Sequence, residues 1–286
     1  MRTEAAAAVV CVGLATLDVV QRFPGPLTRG VKAVSDAVEL AAGGPAANAA
    51  VTCAALGVRV TLVTAIGGGP AADVVRADLE RHGVRVVDCA GEGFEVPVAS
   101  VLVERDGTRT VVSPGARSSE ARPTAEAIAA LGAAGIVLLD GHHPGLAEAA
   151  LEGPALVVLD AGSPKPHVEQ WLPRVDVLAA SADYAAGLGL TADEVLARGL
   201  AAGSRGVVVT QGPDEVLWAD GGHRGRRRPP TVDAVDTNGA GDAFHGALVA
   251  ALARGEDLES AVARAVEVAS LRVTSAGARG WLRGWR

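Results

Sequence analysis

Short apolar runs alternate with longer amphipathic or alanine-rich stretches along nearly the whole chain. The runs have the length and Val/Ile/Leu content of buried strands, and the stretches have apolar residues at helical spacing. This alternation predicts right-handed crossovers and a mostly parallel sheet covered by helices on both faces. The predicted strands are Val9–Leu14, Val58–Thr64, Arg85–Cys89, Ile136–Asp140, Ala155–Asp160, Val175–Ala179 and Gly206–Thr210. The predicted helices are Pro45–Leu56, Ala71–His82, Thr124–Leu131, Gly145–Leu151, Ala192–Ala202, Ala240–Ala253 and Leu258–Thr274.

Two regions depart from this pattern, Val19–Leu40 and Val96–Val112. Both alternate apolar and polar residues, and the second contains the turn sequence RDGT between two β-like runs. We expect antiparallel strands outside the parallel sheet, forming a small sheet, or lid, over a cleft; an edge extension of the main sheet is the alternative. No internal repeat or long linker divides the chain, so a single domain is expected over residues 1–286.

The composition limits the kind of core and partner. Of 286 residues, 49% are hydrophobic but only 3% are aromatic, so the core must be built from Ala, Val and Leu. A net charge of −7 argues against a nucleic acid or an anionic membrane as the main partner. The basic cluster at residues 223–228 is flanked by turn residues, and we interpret it as a solvated hairpin.

The cysteines and the N-terminal sequence indicate the compartment. Cys11, Cys53 and Cys89 are widely spaced in apolar sequence, which favours buried free thiols in a reducing environment over disulfides or a zinc site. The apolar run Ala5–Val12 is too short for a signal peptide, and no segment approaches the ~20 apolar residues that span a bilayer. A cytoplasmic protein is expected.

The string DTNGAGDAFHGAL, which begins at Asp236, holds the most specific chemistry. Its glycines allow successive backbone N–H groups to point outward at a helix N-terminus, which creates a site for an oxyanion such as phosphate. The expected anion hole is formed by Asn238, Gly239, Ala240 and Gly241. Asp242 would lie beside it as a base that takes a hydroxyl proton, an arrangement suited to phosphoryl transfer. A tight turn with an ordinary capping Asp is the alternative.

A second group of polar residues lies near the N-terminus. Gly43 and Gly44 allow a ligand to approach the backbone closely, and the side chain of Asn48, one turn into a predicted helix, both donates and accepts hydrogen bonds. Asp18 lies just beyond the first strand, at the carboxyl edge where open α/β sheets bind ligands. A carboxylate and an amide together suit recognition of neighbouring hydroxyl groups.

These two motifs together resemble the PfkB, or ribokinase-like, family of carbohydrate kinases. The family's usual C-terminal signature is DTTGAGD, so Asn238 replaces a common Thr, and an early Asp, a Gly-Gly turn and an Asn contact the sugar in the family. The resemblance covers the full chain and looks nearest to the ketohexokinase and sulfofructose kinase branches. It implies a ribokinase-like three-layer α/β sandwich with a mostly parallel central sheet and a small β-sheet lid. The sugar contacts carried over are Asp18, Gly43, Gly44 and Asn48.

The resemblance also implies ATP as phosphoryl donor, with Mg²⁺. Thr210 and Gly212 would contact the nucleotide together with Gly239 and Gly241. Where many members have Asn-x-x-Glu, this chain reads SADY from Ser181, so metal ligands cannot be assigned. A monovalent cation (K⁺) stays open.

The C-terminal segment matches the family only in part. Gly277 fits the family's cation loop, whereas its neighbours Arg279, Gly280 and Trp281 do not match it closely.

Substrate choice is left open by the sequence. Lys32, on a predicted lid strand, and His142, after a strand end, are further candidate substrate contacts. We expect an ATP-dependent kinase that phosphorylates a hydroxyl of a small carbohydrate: a ketose, aldose or sulfosugar. A nucleoside (adenosine-like) kinase and a non-catalytic sugar- or nucleotide-binding protein are the alternatives. A dinucleotide-binding protein is disfavoured because LAT, not a glycine-rich turn, follows Gly13. A homodimer through the lid is also expected from the resemblance.

Overall fold

The structure is a computed structural model that describes residues 6–114 and 121–284. Residues 1–5 and 285–286, the ends of the predicted domain, lie outside the described residues. The strands, in chain order, are β1 (Val9–Val12), β2 (Thr16–Arg22), β3 (Ala37–Gly43), β4 (Val60–Thr64), β5 (Arg85–Asp88), β6 (Val98–Val103), β7 (Arg109–Val112), β8 (Ile136–Leu139), β9 (Leu156–Ala161), β10 (Val177–Ser181), β11 (Gly206–Thr210), β12 (Val216–Asp220) and β13 (Arg224–Arg227). The helices are α1 (Pro45–Ala55), α2 (Pro70–Arg81), α3 (Ala125–Gly132), α4 (Pro144–Leu151), α5 (Val168–Trp171), α6 (Ala182–Gly187), α7 (Ala192–Ala201), α8 (Ala240–Leu252) and α9 (Leu258–Val273). Short 3₁₀ turns cover Leu172–Arg174 and Gly280–Gly284.

A large sheet with the order β13-β12-β11-β10-β9-β8-β1-β4-β5 forms the middle layer. It is parallel from β5 to β11, and β12 and β13 add an antiparallel edge. One apolar core lies between the sheet and α1, α2, α8 and α9; the other lies on the opposite face, against α3 to α7. The predicted three-layer α/β sandwich is confirmed.

Each predicted strand and helix is present within about two residues of its expected bounds. The helices α5 and α6 and the strand β12 were not predicted, because they are short or lie within irregular sequence. The basic cluster forms β13, which pairs antiparallel with β12 across a turn, so the hairpin interpretation is correct. Cys11, Cys53 and Cys89 are buried and free, as predicted.

The lid is a separate four-stranded sheet with the order β3-β2-β6-β7. The pairs β2–β3 and β6–β7 are antiparallel, but β2 and β6 are parallel, so the expectation of antiparallel strands holds only within each hairpin. Lys32 was predicted on a lid strand, and that was wrong. It is exposed in the loop between Arg22 and Ala37, a stretch in which two prolines and two glycines interrupt strand pairing.

Small residues let α1 and α8 pack closely, and this brings the two polar motifs together. A Cβ atom on Gly246 of α8 would lie 2.5 Å from the backbone oxygen of Ala49 on α1, so no larger residue fits without displacement. Cys53 Sγ donates to the Gly246 carbonyl at 3.1 Å, across the same contact. Asn48 and Asp242 therefore face each other at the ends of these helices. Within the part of the chain that is described, no helix is long and apolar enough to cross a membrane.

Candidate active site

The buried carboxylate of Asp140 organises the carboxyl edge of the sheet. It directly follows β8 and is 2% exposed. Its oxygens accept N–H groups from Leu14 at 2.8 Å, Ala46 at 3.1 Å and His142 at 2.8 Å. A Cβ on Gly13 would lie 2.0 Å from this carboxylate, so only glycine fits after β1. Asp140 thus fixes the end of β1, the start of α1 and its own loop. It lies between β1 and β8, whose connections lead away in opposite directions along the sheet, and open α/β sheets bind ligands at such a point.

Gly43 and Gly44 make room for the groups around Asp18. A Cβ on Gly43 would lie 2.2 Å from the Asp18 carboxyl group, and one on Gly44, whose φ is 95°, would lie 2.4 Å from the Leu14 carbonyl oxygen. The Thr16 hydroxyl donates to Asp18 at 2.7 Å. Burial raises the pKa of Asp18, against the opposing effects of Thr16 and a nearby Arg. These glycines therefore allow a half-buried carboxylate to stand at the edge of the cleft.

Asn48 connects the two predicted motifs. Its Nδ2 donates to Asp242 Oδ2 at 2.8 Å, and its Oδ1 accepts from Arg279 Nη1 at 3.0 Å. Asp18, Asn48 and Gly239 line one narrow cavity. The sequence suggested that the Asn48 amide both donates to and accepts from a ligand. Its oxygen already accepts from Arg279, so the amide is expected only to donate to a ligand. One N–H remains for a ligand acceptor.

The environment of Asp242 makes it more basic than an ordinary carboxylate. Burial in the first turn of α8 raises the pKa of Asp242 to about 6, and repulsion from the Asp160 and Asp140 carboxylates adds to this. The hydrogen bond from Asn48 and the charge of His245 act in the opposite direction. A carboxylate with a pKa near the working pH is an effective acceptor of a hydroxyl proton.

The pair formed by His245 and Asp160 was missed by sequence reasoning. His245 Nδ1 lies 3.1 Å from Asp160 Oδ2, and the two residues are 4% and 6% exposed. Burial alone would lower the pKa of His245, but the Asp160 and Asp242 carboxylates raise it overall. The sequence signal was the spacing of three residues between Asp242 and His245, which places both on one helix face. The contribution of Asp160 had no local signal.

The glycine turn offers fewer free donors than predicted. The Asn238 N–H donates to Asp236 Oδ1 at 3.0 Å, and the Ala240 N–H donates to the Thr237 carbonyl at 3.3 Å. Among the described residues, the N–H groups of Gly239 and Gly241 have no hydrogen-bond partner. Two of the four predicted anion-hole residues thus have free N–H groups at the N-terminus of α8, where an anion is favoured.

Asp236 anchors this turn and connects it to the lid. Its carboxylate accepts the Gly277 N–H at 3.0 Å and pairs with Arg22 of β2 at 2.7 Å. Burial opposes ionisation, but Arg22 and these N–H groups hold the pKa of Asp236 below its ordinary value. Arg109 of β7 donates to Asn238 Oδ1 at 3.2 Å. The lid therefore touches the glycine turn at two points.

The remaining predicted residues are more peripheral. Thr210 ends β11 and Gly212 follows in a turn with φ 60°, on the carboxyl edge two strands beyond β9. His142 is half-buried beside Asp140, and no hydrogen bond between described residues joins either His142 or the exposed Lys32 to Asp18. The described ranges contain no cluster of three or more His, Cys, Asp or Glu residues able to hold a metal ion.

Comparisons with known proteins identify the family of the chain. A family model described as pfkB family carbohydrate kinase matches residues 6–282. Ribokinase of Bacillus subtilis (strain 168) is 25% identical over 281 residues, which cover 95% of this chain and 94% of that protein. Adenosine kinase of Schizosaccharomyces pombe is 45% identical over 62 residues, 21% of this chain and 18% of that protein. The structure of Arabidopsis thaliana ribokinase complexed with ribose and ATP is similar with a TM-score of 0.79 at 24% identity, and the match covers 98% of this chain and 99% of that one.

The members of the matching family are phosphotransferases that act on an alcohol group, and the three-layer α/β fold with its β-sheet lid agrees with that class. The family match extends over nearly the whole chain. The chain belongs to the pfkB family of carbohydrate kinases. The resemblance to this family, inferred from the two motifs, is confirmed, and the relatives reported above are ribokinases and an adenosine kinase.

Proposed function

We propose that this protein transfers the γ-phosphoryl group of ATP to a hydroxyl group of a small carbohydrate, with Asp242 as the base. The observation that carries the proposal is that the Asp242 carboxyl group, whose pKa is raised to about 6, lies beside the N–H groups of Gly239 and Gly241, which have no partner among the described residues. One group accepts a proton, and the other two stabilise negative charge within the same turn of backbone.

In the proposed step these groups act on the two substrates, ATP and the acceptor. The acceptor hydroxyl lies beside Asp18 and the free N–H of Asn48, and Asp242 takes its proton while its oxygen forms the bond to the γ-phosphorus. The bond to the β-phosphate oxygen breaks, and ADP leaves. The N–H groups of Gly239 and Gly241 hold charge on the transferring group. Mg²⁺ would be held mainly by the ATP phosphates, since the described residues offer no ligand cluster of their own, and would neutralise phosphate charge.

The lid would exclude water from the site in this proposal. The contacts of Arg22 and Arg109 with the glycine turn hold it over the site, where it would exclude water as a competing acceptor. Contacts of Thr210 and Gly212 with the nucleotide, and of His142 and Lys32 with the substrate, stay predictions.

The outer face of the lid supports the proposal of a homodimer. Strand register puts Val38, Leu40, Val98 and Val112 on one face of the lid, where they are 42–61% exposed. Clustered exposed apolar residues of this kind indicate an interaction surface. Light scattering coupled to size-exclusion chromatography should give twice the chain mass of 28.7 kDa for the wild type. For Leu40→Glu it should give the mass of a single chain.

The test of the proposed function is a screen for ADP release with MgATP and ketoses, aldoses, sulfosugars and nucleosides. Turnover with a sugar, and transfer of ³²P from γ-labelled ATP to it, is expected. If only nucleosides are turned over, the acceptor is a nucleoside and not a sugar, as the name of the S. pombe relative, adenosine kinase, would suggest. Tight sugar and ATP binding without turnover of any acceptor would support a non-catalytic binding protein and contradict the proposal.

A further inference from the structure

Arg279 lies in the C-terminal segment that does not match the family pattern, yet its side chain reaches the centre of the site. The side chain is 13% exposed. It lies between α2, the end of β3 and the start of α1, and it also lines the narrow cavity that holds Asp18 and Asn48. A buried guanidinium in such a place needs several acceptors, because it cannot lose its charge.

Arg279 has those acceptors. Nη2 and Nε donate to Asp78 Oδ2 at 3.0 and 3.3 Å, and Nη2 also donates to the Ala42 carbonyl at 2.8 Å. The Ala42 N–H in turn donates to Asp78 Oδ2 at 3.0 Å. The ion pair between Asp78 and Arg279 therefore holds both backbone groups of Ala42, the residue directly before Gly43. Burial would raise the pKa of Asp78, but the hydrogen bond from His82, the charge of Arg279 and the Ala42 N–H together lower it to about 2, so its carboxyl group is ionised at neutral pH.

The remaining amino group of Arg279 determines how the Asn48 amide is oriented. Nη1 donates to Asn48 Oδ1 at 3.0 Å. Because a guanidinium can only donate, the atom that faces it must be the amide oxygen. The amide nitrogen must then face the other way, toward Asp242 Oδ2 at 2.8 Å. Without Arg279, a protonated Asp242 could donate its own O–H to the amide oxygen, and this flipped orientation would favour the neutral acid over the carboxylate.

We infer that Arg279 is a positioning residue, which fixes the Asn48 amide so that it donates to the base Asp242 and leaves one N–H for the substrate. This inference rests on the proposed function of Asp242. The charged groups facing Asp242 from the neighbouring elements are Asp140 after β8, Asp160 in β9, His245 in α8 and Arg272 in α9. Arg279 does not touch Asp242, so it acts through Asn48.

The experiment compares the pH dependence of kcat/KM in the full-length wild type, Arg279→Gln, Asn48→Ala and the double variant. A hydrogen bond to a charged group is worth about one pH unit in the pKa of its acceptor. Arg279→Gln is therefore expected to move the acid limb upward by about one unit, which is about tenfold in kcat/KM at pH 5. In the Asn48→Ala background, Arg279→Gln should move the limb no further.

A matched control separates positioning from stability. Arg76 of α2 is a partly buried arginine paired with Asp88 at 3.1 Å, away from the site. Arg76→Gln should lower the melting temperature without moving the acid limb. If Arg279→Gln behaves in the same way, or moves the limb equally in the Asn48→Ala background, the inference is overturned. If Arg279→Gln does not fold, Arg279→Met, which removes every donor but keeps an unbranched side chain, is compared in the same way.

One readout does not depend on turnover. In protein labelled with ¹³C at Asp carboxyl carbons, the resonance missing from Asp242→Asn reports the titration of Asp242. It should titrate at higher pH in Arg279→Gln than in the wild type, and an unchanged titration would overturn the inference. If the wild type phosphorylates nothing, the proposed function fails, but this titration still tests the contact.

Discussion

Replacing the base should stabilise the fold. The pKa of Asp242 is raised from 3.8 to about 6, mainly by burial and by repulsion from Asp160. A rise of about 2 units corresponds to about 3 kcal/mol of unfavourable free energy for the ionised form in the folded state. In Asp242→Asn the side chain keeps an oxygen that can accept the N–H of Asn48 but carries no charge.

The sign and the pH range follow from the raised pKa. Below about pH 4, Asp242 is protonated in both folded and unfolded chains, so wild type and Asp242→Asn should be about equally stable. Between about pH 4 and 6 the folded wild type keeps a proton that the unfolded chain releases, so its stability falls over this range, and the loss is complete above about pH 6. By pH 7.5 the variant should be more stable by about 3 kcal/mol.

Urea unfolding at pH 4, 5.5 and 7.5 measures this difference. Carboxylates that do not interact with Asp242 titrate in the same way in both proteins and cancel, so the difference reports Asp242 and the groups that face it, His245 among them. Asp73 is a matched control, because it too lies in the first turn of a helix but is exposed. Asp73→Asn should lose up to about 1 kcal/mol, the typical value of an acidic side chain at a helix N-terminus, and should gain nothing. A stability difference for Asp242→Asn that is absent, or equal at all three pH values, would refute the assignment of a destabilised base.

Further expected outcomes test the electrostatics and the packing. In the wild type, kcat/KM should fall about tenfold per pH unit below about pH 6, since Asp242 must be ionised to accept a proton; an acid limb near pH 4 would contradict its raised pKa. His245→Gln breaks a buried ion pair and should lower the free energy of unfolding by about 3 kcal/mol at pH 6. This loss should become smaller as the pH rises through the raised pKa of His245, because the wild-type pair then loses its charge. Chemical denaturation at pH 6 and 9 measures the difference, and a loss that grows with pH would contradict the expectation. Gly246→Ala should lower stability by about 1–3 kcal/mol because its Cβ would meet the backbone of Ala49 at 2.5 Å, while Gly132→Ala, where the added atom meets nothing, should be neutral or stabilising in the same thermal unfolding assay.

Much of the fold could be predicted because its signals are local. Buried parallel strands are short apolar runs, and each lies where such a run occurs in the sequence. The glycine turn before α8 and the Gly-Gly pair before α1 could also be located, since their function depends on adjacent backbone groups. The short elements α5 and α6 have no periodicity long enough to identify, and the parallel pairing of β2 with β6 depends on residues far apart in the chain.

The parts of the candidate site that were missed depend on tertiary contacts. The sequence suggested Asn48 and Asp242 separately, but the bond between them exists only because α1 and α8 pack across Gly246. The pairing of His245 with Asp160 and the contact of Arg279 with Asn48 join residues that share no local pattern. The sequence also overestimated the number of free N–H groups in the predicted anion hole, because the N–H of Asn238 donates within the turn to Asp236.

The most direct measurement of the central claim is the rate of ADP formation by wild type and Asp242→Asn with the best acceptor from the substrate screen. Calorimetric titration with ATP should be run on both proteins. Loss of a positioned base typically costs ~10²–10⁴-fold in rate. We expect the variant to lose at least about a hundredfold in kcat while its Kd for ATP changes little, because the backbone donors at Gly239 and Gly241 remain. A variant that turns over at the wild-type rate would contradict the role of Asp242 as the base.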